Sequence, residues 1–109
     1  MKSQLSPFLE YLRSGKAILS DGAMGTMLHK RSAVINTCFD ELNITQPEIV
    51  LEIHLDYIRA GSQMIQTNTF GANRFKLTQH GLQDHLASIN RVGVDLARKA
   101  IDFSSRSIF

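Results

Sequence analysis

The sequence is poor in the features that mark cross-linked, membrane-spanning or nucleic-acid-binding proteins. It has one cysteine, Cys38, and no tryptophan among 109 residues. A single cysteine excludes an internal disulfide, and it cannot by itself supply a thiolate zinc site, which needs about three or four ligands. No stretch approaches the ~20 apolar residues of a membrane span, and no targeting segment is recognisable. We therefore expect a cytoplasmic protein without a membrane surface.

Charge and composition narrow the class further. The formal net charge is +2 and the basic residues are scattered, which does not indicate a nucleic-acid surface. A hydrophobic content of 43% with 20% charged residues is typical of one globular unit, and 109 residues leave no room for a second domain. Residues 1–109 are therefore one domain or a portion of one.

Four segments have helical signals. Ser6 and Pro7 resemble an N-cap and a first helical residue, and this short helix ends before Gly15. Thr45 and Glu48 have the spacing of a capping box for a helix over residues 49–60, and Gly61 would end it. Apolar residues recur at helical spacing from residue 82 to residue 100, after one or two helical turns within residues 73–79.

Two segments have the character of strands. Residues 17–21 form a short apolar run that ends at Gly22, and residues 63–70 are rich in Thr, Ile and Phe. Residues 22–44 between the first strand and the long helix are predicted to be an ordered loop with a helical turn near residues 26–30. Strand, helix and strand in this order predict an α/β fold with a parallel pair of strands.

Polar residues follow both predicted strands. In βα architectures the chemistry gathers at the carboxyl ends of the strands, which here are Asp21 with Gly22 and the segment 67–71. An aspartate can pair with an amine, and the N–H groups of a glycine turn can hold a carboxylate, so this edge suits an amino acid's head group. A simple Asp-Gly turn without a ligand is an equally good interpretation of the residues alone.

Three further residues are interpreted as structural. His54 lies within the apolar arc of the central helix and has no second metal-binding residue one turn away, so we expect a hydrogen-bonded core histidine. Cys38 is expected to be a semi-buried structural thiol. Gly93 on the apolar face of the last helix indicates close approach of a neighbouring segment.

Two long blocks of the sequence resemble a known family. They are AILSDGAMGTML and CFDELNITQPEIVLEIHLDYIRAGSQMIQTNTFGANRFKL, and the match extends from about the first helix to Arg98. They resemble the start of homocysteine S-methyltransferase domains, most closely those of methionine synthases and of bifunctional homocysteine S-methyltransferase–methylenetetrahydrofolate reductases. Betaine-dependent relatives look more distant.

The resemblance implies a (β/α)₈ barrel in which three cysteine thiolates bind zinc. By the same resemblance, zinc would favour the thiolate of homocysteine, and methyl transfer to this sulfur would give methionine. Asp21 and Gly22 match the family's Asp-Gly position beside the amino-acid head group, and Asn68 lies in the segment that matches the second-strand wall of the pocket. The resemblance thus implies homocysteine as the ligand and Asp21, Gly22 and Asn68 as binding residues, with the methyl donor unspecified.

The tail of the sequence does not resemble the third strand of such a barrel. A barrel of this kind needs about 250 residues, and the family's zinc cysteines lie in later strands, so we expect these 109 residues to be an N-terminal portion that is inactive alone. Its partner would then be the remainder of the barrel. The alternative is a non-enzymatic remnant or a partner-binding fragment.

Overall fold

The computed structural model describes residues 6–32 and 38–109, and within these ranges the regular elements are helical. Six α-helices and two short 3₁₀ turns follow one another within these two ranges. The 3₁₀ turns are Phe39–Glu41 and Gln83–His85, and the helices are α1 (Pro7–Arg13), α2 (Gly25–Ser32), α3 (Leu42–Thr45), α4 (Pro47–Arg59), α5 (Arg74–Thr78) and α6 (Leu86–Ser104).

The first helix has the predicted start. The Ser6 side chain accepts a hydrogen bond from the N–H of Leu9 at 3.3 Å, and Pro7 occupies the first turn, where its missing N–H costs nothing. On one side of α1, the rings of Phe8 and Tyr11 pack against the ring of Phe109 with centroid distances of 5.3 and 5.6 Å. These contacts place α1 beside the far end of the chain.

The long loop predicted for residues 22–44 contains more helix than expected. The helical turn near residues 26–30 is confirmed as part of α2, and the segment from Phe39 to Thr45 forms a 3₁₀ turn that continues into α3. Residues 33–37 lie outside the described part of the chain. The described residues of this stretch therefore include two helical segments that precede α4.

The central helix α4 is confirmed, but the predicted capping box is wrong. Gln46 is the N-cap and makes no side-chain cap, and Pro47 is the first helical residue. Thr45 cannot cap α4 because it already ends α3, where its Oγ1 donates to the main-chain oxygen of Glu41 at 3.4 Å. At the other end Gly61 adopts φ +116°, which favours glycine and turns the chain away from the helix.

Helices α4 and α6 form the centre of the packing. The buried cluster between the helices includes residues of α2, α3, α4 and α6, namely Leu28, Leu42, Val50, Ile53 and Leu96. The close approach expected at Gly93 is confirmed. A Cβ on Gly93 would lie 2.8 Å from both Asn43 Nδ2 and Thr69 Cγ2. Its lack of a side chain lets α6 pack directly against α3 and the segment after Met64.

The histidine of α4 differs from the expectation. His54 is fully buried, but neither ring nitrogen has a hydrogen-bond partner in the described part of the chain. Burial lowers the pKa of His54, and the nearby Asp21 carboxylate opposes that shift. The side chain is therefore a neutral core imidazole without the predicted hydrogen bond.

The predicted strands over residues 17–21 and 63–70 are corrected to a single parallel bridge. Ser20 and Met64 pair in parallel, with Asp21 N–H donating to Met64 O at 2.9 Å and Met64 N–H donating to Leu19 O at 3.2 Å. No longer ladder forms among the described residues, because the hydrogen bonds between the two segments cover only this short stretch. The parallel direction agrees with the α/β interpretation, although the described elements themselves are helices.

The C-terminal residues pair with the other side of the same segment. Phe109 N–H donates to Gln63 O and Ile65 N–H donates to Phe109 O, both at 2.9 Å. These two bonds flank Met64 in the pattern of a parallel pair. The tail, which we expected not to resemble a third strand, therefore lies where a third parallel segment would begin.

Two further contacts describe the end of the chain. Arg106 Nη1 donates to Ile58 O at 2.6 Å, which ties the tail to the last turn of α4. In the described residues, no helix is both long enough and apolar enough to cross a bilayer.

Candidate substrate-binding cavity

A cavity of about 510 Å³ opens where the bridged segments end. Its walls come from five parts of the chain. They are the turn after Ser20, the start of α2, the 3₁₀ turn Phe39–Glu41, the segment after Met64, and α5. The polar and charged groups among the lining residues are Asp21, Thr26, Cys38, Asp40, Gln66, Thr67, Asn68, Lys76 and His80. All three residues predicted from the sequence, Asp21, Gly22 and Asn68, border this one cavity.

The carboxylate of Asp21 is held in place by neighbours on both segments. Its Oδ2 accepts a hydrogen bond from the main-chain N–H of Gln66 at 3.1 Å, and Ser20 Oγ donates to Oδ1 at 3.3 Å. The backbone of Asp21 is fixed separately by the bridge to Met64. A carboxylate has about four acceptor sites, so two bonds leave capacity for a ligand's donors.

Gly22 is shaped by a tyrosine of α4. A Cβ on Gly22 would lie 2.9 Å from the Tyr57 hydroxyl and 3.0 Å from its ring, which is closer than side chains normally approach. That hydroxyl donates to the main-chain oxygen of Ala23 at 2.7 Å. Tyr57 therefore occupies the space of a missing side chain and fixes the turn that follows Asp21.

Asn68 borders the cavity, and its side-chain amide nitrogen is hydrogen-bonded within the protein. It is 6% exposed, and its Nδ2 donates to Phe39 O and to Asn43 Oδ1, both at 3.0 Å. Asn43 in turn donates to Asn68 O at 2.8 Å and to Ile89 O at 3.1 Å. This buried network ties the wall after Met64 to α3 and α6.

Asp40 is a cavity residue that the sequence did not reveal. It is 6% exposed, and its Oδ1 accepts a hydrogen bond from the N–H of Gly71 at 3.2 Å. Burial raises the pKa of the Asp40 carboxyl, while the Gly71 hydrogen bond and the positive charge of Lys76 oppose the rise. In the sequence Asp40 precedes an ordinary helix start, and nothing local to it indicates that Gly71 will lie against it.

Cys38 is a buried thiol next to this carboxylate. Its Sγ lies 3.8 Å from Asp40 Oδ2, and burial raises the pKa of the thiol. A raised pKa disfavours the thiolate, which is the form that binds metals and acts as a nucleophile. This agrees with the structural role expected for Cys38.

The described residues do not fit a zinc ion. Over residues 6–32 and 38–109, no three His, Cys, Asp or Glu side chains come together in a way that could hold a metal. Asp40 and Cys38 are neighbours, but a zinc site of the usual kind needs at least one more protein ligand.

Comparison with known proteins identifies the family. A family model described as homocysteine S-methyltransferase matches residues 18–109. The chain is 32% identical over 95 residues to methionine synthase of Mycobacterium tuberculosis, and 34% identical over 99 residues to betaine–homocysteine S-methyltransferase 1 of Bos taurus. These alignments cover 82% and 86% of this chain.

A solved structure is similar as well. The metallated form of the homocysteine methyltransferase MmuM from Escherichia coli superposes with a TM-score of 0.75 at 32% identity, over 88% of this chain and 35% of that one. The chain spans 8% of the length of the methionine synthase and 24% of the length of the betaine–homocysteine S-methyltransferase. Identities of 32% and 34% are too similar to separate the methionine synthase branch from the betaine-dependent branch.

The match also corrects one expectation about the tail. The family model extends to residue 109, beyond the Arg98 limit expected from the sequence, and Phe109 pairs with the segment around Met64. With a family model over residues 18–109 and relatives above 30% identity, this chain belongs to the homocysteine S-methyltransferase family.

Proposed function

We propose that this chain provides the amino-acid-binding part of a homocysteine S-methyltransferase, with Asp21 binding the substrate's α-ammonium group. The parent reaction transfers a methyl group to the homocysteine sulfur and gives methionine. The observation that carries the proposal is the Asp21 carboxylate, which borders the cavity and is oriented by hydrogen bonds from Gln66 and Ser20. Acceptor capacity remains on this carboxylate for an ammonium donor.

Gly22 and Asn68 have different parts in this proposal. The turn at Gly22 brings main-chain groups close to the ligand, and the tyrosine that fills its missing side chain keeps the turn rigid. Asn68 acts as a positioning residue, because its amide nitrogen donates both of its hydrogen bonds to protein oxygens. Together they hold the wall of the cavity against the head group that Asp21 binds.

Zinc is assigned to residues other than these. The family resemblance implies a zinc-bound homocysteine thiolate, and a bound zinc supplies the charge that favours the thiolate at neutral pH. The described residues do not form such a site, and the whole sequence has one cysteine. We therefore assign to this chain only the binding of the amino-acid end, and we expect no methyl transfer from these 109 residues alone.

The same proposal includes the fold of the parent domain and its cellular compartment. Ser20, Met64 and Phe109 belong to three segments that pair side by side in parallel, which supports the start of a (β/α)₈ barrel. A lone buried thiol suits a reducing compartment, which supports the cytoplasm.

Isothermal titration with L-homocysteine under reducing conditions tests the proposal. Asp21→Asn keeps an acceptor for the Gln66 N–H and removes the charge, so we expect an affinity loss of about tenfold or more, the size of a charged hydrogen bond. Asp95→Asn on the exposed face of α6 is the matched control and should bind like the native chain.

Two results would contradict the proposal. Equal affinities of the Asp21→Asn and Asp95→Asn variants would show that Asp21 does not bind the substrate. A folded native chain that takes up no homocysteine would favour the alternative of a non-enzymatic fragment.

A further inference from the structure

The main-chain turn after Asp21 is held by Tyr57 from outside the cavity. The Tyr57 hydroxyl donates to Ala23 O at 2.7 Å, and its ring fills the space that a Cβ on Gly22 would occupy. Ala23 and Met24 line the cavity, whereas Tyr57 does not. The carbonyl group of Ala23 therefore points from the cavity wall toward α4.

The direction of this carbonyl group fixes the direction of the next N–H group. In a planar trans peptide the C=O and the N–H point in opposite directions, and the described residues contain no cis peptide bond. Met24 N–H therefore points away from Tyr57. It donates to no main-chain acceptor within residues 6–32 and 38–109, whereas Met24 O accepts a hydrogen bond from Leu28 N–H at 2.9 Å. The N–H of Met24 thus keeps donor capacity on the side of the turn away from α4.

The reverse orientation of this peptide group would be unfavourable for an anion in the cavity. If the peptide turned over, Ala23 O would take the place of Met24 N–H. A carbonyl oxygen only accepts hydrogen bonds, so it would repel a carboxylate that the N–H would attract. The hydrogen bond from the Tyr57 hydroxyl favours the orientation that the structure has, because turning the peptide over would break this bond.

We propose that Tyr57 is a positioning residue for the amino-acid head group, and that it orients Met24 N–H to donate to the carboxylate of homocysteine. This inference rests on the proposed function, in which Asp21 on the same turn binds the α-ammonium group of the same ligand. Tyr57 acts through the peptide between Ala23 and Met24 and does not touch the ligand. Its hydroxyl thereby helps the chain to distinguish an amino acid from an amine without a carboxylate.

NMR titration of the chain with two thiols under reducing conditions tests this role. L-homocysteine has both charged groups, and 3-aminopropane-1-thiol is the same molecule without the carboxylate. Tyr57→Phe keeps the ring beside Gly22 and removes the hydroxyl, so the affinity for homocysteine should fall at least about fivefold. The affinity for the amine should change by less than about twofold. Equal losses for both thiols, or no loss for homocysteine, would overturn the proposal.

Tyr11→Phe is the matched control. The Tyr11 hydroxyl also donates to a main-chain oxygen, Ala17 O at 3.3 Å, and Tyr11 does not line the cavity, so this variant should bind both thiols like the native chain. A second measurement needs no variant. The amide proton of Met24 in the native chain should shift to lower field on addition of homocysteine and not on addition of the amine, and the absence of this difference would contradict the proposal.

Failure of this inference is distinguishable from failure of the proposed function. Asp21→Asn should weaken the binding of both thiols, because both have the ammonium group, whereas Tyr57→Phe should weaken homocysteine selectively. A loss in Asp21→Asn without the selective loss in Tyr57→Phe would remove the role of Tyr57 and leave the proposed function. A native chain that does not bind homocysteine would contradict both.

Discussion

Asn43 and Asn68 exchange hydrogen bonds in the buried interior. Asn43 Nδ2 donates to the main-chain oxygen of Asn68 at 2.8 Å, and Asn68 Nδ2 donates to Asn43 Oδ1 at 3.0 Å. Asn43 is fully buried and Asn68 is 6% exposed. The pair connects the cavity wall at Asn68 to α3. A further hydrogen bond from Asn43 to Ile89 O connects α3 to α6.

Asn43→Ala should destabilise the fold by about 2–4 kcal/mol, because it removes three buried hydrogen bonds, to Asn68 O, to Ile89 O and from Asn68 Nδ2. Urea unfolding followed by circular dichroism measures the change. Gln79→Ala, at an exposed position, is the control and should change stability by less than about 0.5 kcal/mol. A loss at Asn43 no larger than that of the control would show that the network contributes little.

Gly93→Ala should also destabilise, by about 1–3 kcal/mol, although alanine is the better helix former. The added methyl would lie 2.8 Å from both Asn43 Nδ2 and Thr69 Cγ2, so α6 would have to move away from α3 and from the segment that contains Thr69. Gly25→Ala in α2 is the control, since its Cβ would make ordinary contacts of 3.6 and 3.7 Å with the Phe39 ring. The midpoint temperature of thermal unfolding should be well below that of Gly25→Ala for the Gly93→Ala variant. The reverse order would refute the packing argument.

Gly22 and Tyr57 should be energetically coupled. Gly22→Ala brings a methyl to 2.9 Å from the Tyr57 hydroxyl, and Tyr57→Phe removes that hydroxyl together with its bond to Ala23. A double-mutant cycle of unfolding free energies should therefore show that the Gly22→Ala cost is smaller by about 0.5–1.5 kcal/mol in the Tyr57→Phe background. Additive effects would mean that the two residues do not constrain each other.

His54 should make stability depend on pH. Burial lowers the pKa of His54 in the folded chain below its ordinary value of 6.5, so the unfolded chain binds the proton more readily. Above pH 6.5 His54 is neutral in both the folded and the unfolded chain, so it does not make stability depend on pH. As the pH falls below 6.5 stability is lost, until the pH reaches the folded-state pKa.

His54→Leu isolates this effect. Leucine is apolar and removes two buried nitrogen atoms that have no partner in the described residues, so the variant should be at least as stable as the native chain at pH 7. Between pH 7 and pH 5 the variant should gain stability relative to the native chain. Asp40, whose raised pKa gives a slope of the opposite sign, is common to both and largely cancels in the difference. Parallel stability curves over this range would contradict the assignment.

The helices were predictable because their signals are local. Ser6 and Pro7 start α1 within one turn of chain, and the apolar spacing after residue 82 marks α6 along its own length. The capping box failed because its residues serve two adjacent helices: Thr45 has the right spacing for α4 but is already part of α3. The spacing of side chains does not reveal which of two helices will include a residue.

The sequence by itself determined the helices α1, α4 and α6 and the family, because each of these depends on residues close together in the chain. Only the tertiary structure decided that the predicted strands meet at a single bridge, that Phe109 pairs beside Met64, and that Asp40 lies against Gly71. The physical reason is that these are contacts between segments far apart in sequence. Their geometry depends on how α4 and α6 pack, and no single segment contains that information.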